Sequence, residues 1–144
     1  MTPDEKIRIL IADDFTVLLQ AIKQLIERTP GLETAGVALN LDDALQAAQD
    51  LEPDVILMND YLPPINSAHA TQKFRELGFS AAILIISMQL ERDMIEKSLS
   101  NGANGVMHKD ELFDFLETAV RTVHNNEQYL SPNAKATLSN SGTS

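Results

Sequence analysis

Residues 55–64 read VILMNDYLPP, and the first four of them decide the fold. Val55, Ile56, Leu57 and Met58 are apolar without alternation, so a strand built from them must be covered on both faces. Asn59 and Asp60 end the run, and Pro63 and Pro64 prevent it from continuing as a ladder. Two similar runs stand at 7–12 (IRILIA) and 81–87 (AAILIIS), with weaker ones at 33–39 (ETAGVAL) and 105–109 (GVMHK). Short unalternating runs of this kind belong to parallel sheets.

The stretches between them have helical spacing. Leu18, Ile22, Leu25 and Ile26 share one face, and Asn40 is placed to cap a helix carrying Ala44, Ala47 and Leu51. Asn66 can open another helix that reaches about Gly78. Met94, Ile95 and Leu99 lead to a stop at Asn101-Gly102. Leu112, Phe115, Leu116, Ala119, Val120 and Val123 form the stripe of a last helix. Strand and helix thus alternate five times. Right-handed crossovers then give a doubly wound α/β domain, a five-stranded parallel sheet with helices on both faces. From Tyr129 the pattern dissolves into SPNAKATLSNSGTS, so residues 1–128 are expected to form the domain and 129–144 a flexible tail or linker.

Composition narrows the function. The 144 residues suffice for one domain, and with 44% apolar but 5% aromatic residues its core must be aliphatic. A formal net charge of −10 and the lack of a basic stripe argue against direct nucleic-acid binding by this chain and against an anionic membrane surface. The absence of cysteine excludes disulfides and thiolate catalysis. No basic leader opens the sequence, and no apolar run approaches the roughly 20 residues of a membrane helix, so a soluble cytoplasmic chain is expected.

In open α/β sheets ligands bind beyond the carboxyl ends of the strands. Four runs here end in residues with chemistry: Asp13-Asp14, Asn59, Ser87 and Lys109. Singly, each has a bland explanation. The acidic pair can favour a helix start, Lys109 can neutralise it, and one serine means little. Together they suit a hard cation and a phosphoryl group.

The stretches ILIADDFTV, PDVILMNDYLPPIN, ILIISM and GANGVMHKDEL resemble the receiver domains of bacterial two-component response regulators, of the NarL/LuxR-type subgroup, over residues 7–132. The resemblance implies a flavodoxin-like (CheY-like) sheet in the order 2-1-3-4-5. It implies Mg²⁺ held around Asp13, Asp14, residue 59 and the backbone carbonyl of Tyr61. It also implies a phosphoryl group bonded by the Ser87 hydroxyl and paired with Lys109. Such a module is a signalling protein rather than an enzyme. Its partners would be a histidine kinase or another signalling protein, with a homodimer in some members, and DNA contacts would lie in a helix-turn-helix domain outside this chain.

Two residues depart from the family pattern. Asn59 occupies the phosphoacceptor position, where a carboxylate should attack the phosphodonor; an amide has no comparable nucleophile. Val106 stands where most members carry an aromatic residue that moves with the counterpart of Ser87. Asp60 should point to the opposite face from Asp13 and Asp14 if the strand persists, leaving it a solvated loop carboxylate. With only two acids left, the Asn59 amide is expected to donate to Asp13 or Asp14 and to weaken Mg²⁺ binding. Two readings stay open: a module independent of aspartyl phosphorylation, and a conventional Mg²⁺-dependent phosphorylatable receiver carrying an engineered Asp-to-Asn substitution. Val106 favours the first.

Other classes on similar sheets lack their residues. A nucleotide or flavin site needs a glycine-rich cradle after a strand, and ADDFTVLL has none. An aspartyl phosphatase needs two aspartates one residue apart, which Asn59-Asp60-Tyr61 does not supply. His108, beside Lys109, reads as an ordinary strand-end residue and not a ligand, and nothing suggests a role for His69 or His124.

Overall fold

The computed structural model describes residues 5–140. Each long apolar run becomes a strand: β1 (Ile7–Ala12), β2 (Leu32–Ala38), β3 (Val55–Asn59), β6 (Ala82–Ser87) and β7 (Gly105–His108). A small hairpin, β4 (Tyr61–Leu62) with β5 (Ile65–Asn66), follows β3. The helices are α1 (Thr16–Arg28), α2 (Leu41–Leu51), α3 (Ser67–Glu76), α4 (Arg92–Ser100), α5 (Leu112–His124) and α6 (Pro132–Asn140). Both expected asparagine caps form: the Asn40 side chain accepts from the Asp43 N–H at 2.8 Å, and that of Asn66 accepts from the His69 N–H at 3.0 Å.

The main sheet is parallel throughout, in the order β2-β1-β3-β6-β7-β8, where β8 is Tyr129–Leu130. Its first five members follow the expected 2-1-3-4-5 order, and β8 is an added edge strand. The expectation of five strands and of a flexible tail from Tyr129 is therefore corrected over the described part of that segment. Tyr129 and Leu130 pair with Gly105 and Val106, and α6 follows with Ala134 fully buried. Gly105 makes this approach feasible, because a Cβ there would stand 2.8 Å from the Tyr129 carbonyl oxygen. Ser131 and Pro132 supply the start of α6: the Ser131 hydroxyl accepts from the Ala134 N–H at 3.2 Å, and proline suits the first helical position.

Two apolar clusters cover the two faces of the sheet. Ile7, Ile9, Ile11, Val55, Leu57, Leu84, Ile86 and Met107 pack against α1 and α5. Leu10, Ala12, Ile56, Met58, Ile83, Ile85 and Val106 pack with residues of α2, α3, α4 and α6. Strand alternation extends this division past the strand ends. Asp13, Asn59 and Lys109 continue the rows facing α1 and α5, whereas Asp60, Ser87 and His108 continue the opposite rows. No helix among the described residues is long and apolar enough to cross a membrane.

Candidate functional site

The parallel register brings the ends of β1 and β3 side by side, since Ala12 pairs with Met58 and the next residues are Asp13 and Asn59. Asp13 is fully buried. Its Oδ1 accepts from the Phe15 N–H at 2.9 Å, which turns the chain into α1, while Oδ2 lies 3.5 Å from Lys109 Nζ. That contact is an ion pair whose geometry falls short of a hydrogen bond, so Oδ2 keeps an unused acceptor site. Burial pushes the Asp13 carboxyl above its ordinary value, against the opposing pull of the Phe15 N–H and of Lys109. Asp14, next along the chain, is exposed.

Asn59 is buried at the end of β3. Its amide donates to the Tyr61 carbonyl at 3.1 Å, not to Asp13 or Asp14 as expected from the charge pattern. The reason is local: the chain bends at Asp60 into the β4–β5 hairpin and brings that carbonyl within reach. Asn59 Oδ1 is buried with no hydrogen-bond partner. The pocket thus joins Asp13, Lys109, Asn59 and the Tyr61 carbonyl, with Asp14 at its mouth.

Ser87 is also fully buried, but its bonds run elsewhere. Its hydroxyl donates to Asp60 Oδ2 at 2.6 Å and accepts from the Gln89 N–H at 3.0 Å. Alternation explains the pairing, because Asp60 and Ser87 extend neighbouring strands on the same face. Asp60 does point away from the Asp13 row, yet it is a half-buried anchor for Ser87 and not the solvated loop carboxylate expected. The missed signal was available: two alternating strands with adjacent ends place the residue after Asn59 beside Ser87. Asp60→Ala is expected to cost about 1–2 kcal/mol, as the loss of a charge-assisted acceptor for a buried hydroxyl. A lower urea midpoint at unchanged m-value reads it; an unchanged midpoint contradicts the contact's importance.

Val106 is fully buried in the cluster beneath α6 and α4. The face of β7 and α4 is therefore partly covered by this chain's own α6. His108 serves the backbone: its Nδ1 accepts from the Asp110 N–H at 3.0 Å, which leaves Nε2 as the donor to the Met88 carbonyl at 2.9 Å. Glu111, which sequence reading passed over, is a buried carboxylate two residues beyond Lys109. Beside Lys109 an open hollow of about 350 Å³ is lined by Phe15, Leu18, Met88, Asp110 and Phe113. The rings of Phe15 and Phe113 and the Met88 side chain are all more than half exposed.

As a cation site the pocket offers oxygen donors only: Asp13 Oδ2 and Asn59 Oδ1, both orphaned, with Asp14 and the Tyr61 carbonyl beside them. That donor type suits a hard cation. The formal charge is that of two carboxylates, and no group of three or more acidic, histidine or cysteine ligands is found among the described residues.

A parallel sheet in this order with an acidic residue and a lysine converging at its carboxyl edge defines a receiver fold. The family model described as response regulator receiver domain matches residues 9–121, and the chain belongs to that family. Among individual proteins it is similar to the nitrate/nitrite response regulator NarL of Escherichia coli strain K12, at 32% identity over 110 residues, covering 76% of this chain and 51% of that protein. It is also similar to the transcriptional regulatory protein LnrK of Bacillus subtilis, at 29% identity over 134 residues, covering 93% of this chain and 61% of that one. The chain therefore spans about half to three-fifths of the length of these relatives. Among solved structures, a LuxR-family two-component response regulator from Aurantimonas sp. SI85-9A1 superposes with a TM-score of 0.90 at 24% identity, covering 97% of this chain and all of that one. The non-phosphorylated receiver domain of Escherichia coli RcsB gives 0.81 at 15% identity, covering 88% of this chain and 99% of that one. These likenesses concern the fold.

Proposed function

We propose that this receiver signals through protein contacts without forming an acyl phosphate at residue 59. The observation that carries the reading is Asn59 itself. The residue at the end of β3 is an amide that donates to the Tyr61 carbonyl, so the acceptor position holds no carboxylate oxygen to attack a phosphodonor. The hydroxyl expected to bond a phosphoryl group is engaged too, by Asp60 on the opposite face.

The pocket rests on its own groups. Lys109 offsets Asp13, the Asn59 amide uses the Tyr61 carbonyl, and two carboxylates replace the three expected of the family. Mg²⁺ at Asp13, Asp14, Asn59 Oδ1 and the Tyr61 carbonyl would supply counter-charge to the acids and to an incoming anion, but with less charge to hold it. The protein works in the cytoplasm, and its partner is a histidine kinase or another signalling protein, or a second copy of itself. The apolar hollow of Phe15, Met88 and Phe113 beside Lys109 supports a protein contact at that edge. Because the relatives are response and transcriptional regulators about half as long again, the output is transcription regulated through a DNA-binding region outside these 144 residues.

Beryllofluoride with Mg²⁺ tests the reading, because that mimic bonds a carboxylate oxygen. Amide NMR shifts around Asn59, Ser87 and Lys109 are expected to stay unchanged in this protein and to move in Asn59→Asp. Saturable shifts in the unaltered protein beyond those that Mg²⁺ alone produces would overturn it.

A further inference from the structure

Glu111 is a buried carboxylate whose two oxygens both hold main chain. Oε1 accepts from the His108 N–H at the end of β7, and Oε2 accepts from the Asn133 N–H in the first turn of α6, each at 3.1 Å. One side chain therefore ties the end of a central strand to a helix 22 residues further on. Charge-assisted bonds of this kind hold their geometry better than neutral ones.

The rest of α6 is docked around that tie. The Ser131 N–H donates to the Val106 carbonyl at 3.2 Å, Ala134 packs in one cluster with Val106, and Arg92 of α4 donates to the Leu138 carbonyl at 3.2 Å. At the other end of the connection stands the acidic pocket. Lys109 and Glu111 belong to one three-residue 3₁₀ turn, closed by the Leu112 N–H on the Lys109 carbonyl and by the Asp110 N–H on His108 Nδ1. So short a turn, bonded at both ends, couples the backbone positions of its first and last residues. A displacement of the Lys109 backbone would be passed along this turn to the two N–H groups that Glu111 holds.

We propose that α6 is a clamped arm whose docking on β7 and α4 reports the state of the acidic pocket, with Glu111 as the positioning residue that carries that state from Lys109 to α6. The inference rests on reading this pocket as the receiver's signalling site; it does not depend on phosphorylation. It also gives Val106 a place. The residue at 106 lies under the arm as a packing surface, and the signal passes beside it through the 3₁₀ turn.

Hydrogen exchange read by mass spectrometry on the 144-residue chain tests this, without phosphodonor or Mg²⁺, so its outcome is independent of the acceptor question. Glu111→Gln and Lys109→Gln are each expected to speed exchange over residues 131–140 about tenfold by local opening, which low urea leaves unchanged. β1 and β3 hold their rate in Glu111→Gln and accelerate in Lys109→Gln only through the global loss of stability, which urea steepens. The double variant should be no faster than either single one, since both release the same tie. Ala134→Asp sets the rate of an undocked arm and should be the fastest. A second readout is the phenol of Tyr129, which burial and then the Glu111 charge raise above the ordinary tyrosine value. Its absorbance titration should shift downward in Glu111→Gln. The proposal is overturned if Lys109→Gln leaves arm exchange at the wild-type rate, if β1 and β3 accelerate as much as the arm in Glu111→Gln, if the arm's acceleration in Lys109→Gln depends on urea as that of β1 and β3 does, or if Ala134→Asp is no faster than wild type.

Discussion

Asn59→Asp is expected to make the protein less stable by about 1–3 kcal/mol in metal-free buffer and to make that stability depend on Mg²⁺. The new carboxylate would replace a buried amide that now donates to the Tyr61 carbonyl. It would face that carbonyl oxygen with nothing to donate, beside the fully buried Asp13, which already titrates above its ordinary range. Three carboxylates in one pocket repel one another, and Lys109 can neutralise only one of them. A divalent cation removes the strain, and at a hundredfold excess over its dissociation constant it returns about 2.7 kcal/mol by mass action. Urea unfolding with and without Mg²⁺ measures both effects. Equal stability of the two proteins without metal, or an equal response to Mg²⁺, contradicts a pocket whose charge Lys109 and the Asn59 amide balance without metal.

Lys109→Met should cost more, about 3–5 kcal/mol at neutral pH, because it leaves the buried Asp13 carboxylate without its cation. The loss depends on pH in a direction that follows from Asp13. Burial raises the folded-state value above that of the unfolded chain, and removing Lys109 takes away a group that lowers it. The folded protein then binds more protons than the unfolded one from the ordinary aspartate value of 3.8 up to the raised one. Stability therefore rises as the pH falls through that window and is fully recovered, for this group, below 3.8. The variant should lose less to urea in mild acid than at neutral pH. A loss that is the same at both identifies the cost as lost packing of the lysine stem.

The core strands were legible because a strand buried on both faces must be apolar at every position, and nothing else in a chain of this length looks like that. Asn40 and Asn66 announced their helices by the same logic, a short acceptor before an apolar period. The arm was missed although Ser131-Pro132 is a helix start of the same kind. Its apolar face consists of little more than Ala134 and Leu138, too sparse to show a period. At the site, the residues after β1, β3 and β7 could be read as neighbours. Their bonding could not, because it depends on the bend after Asn59 that turns the Tyr61 carbonyl inward. Asp60 shows that alternation, followed one strand further, would have found the partner of Ser87. Glu111 had no such signal: an acid after a strand reads as a solvated turn residue until α6 brings a backbone N–H to it.

Whether residue 59 takes a phosphoryl group is read from intact mass. The protein and Asn59→Asp are incubated with Mg²⁺ and a small-molecule phosphodonor, then weighed. The protein is expected to keep its mass, and the variant to gain one phosphoryl group that mild base removes. A base-labile phosphoryl group on the unaltered protein would contradict that expectation, and would place the acceptor at Asp60 or at a deamidated residue 59.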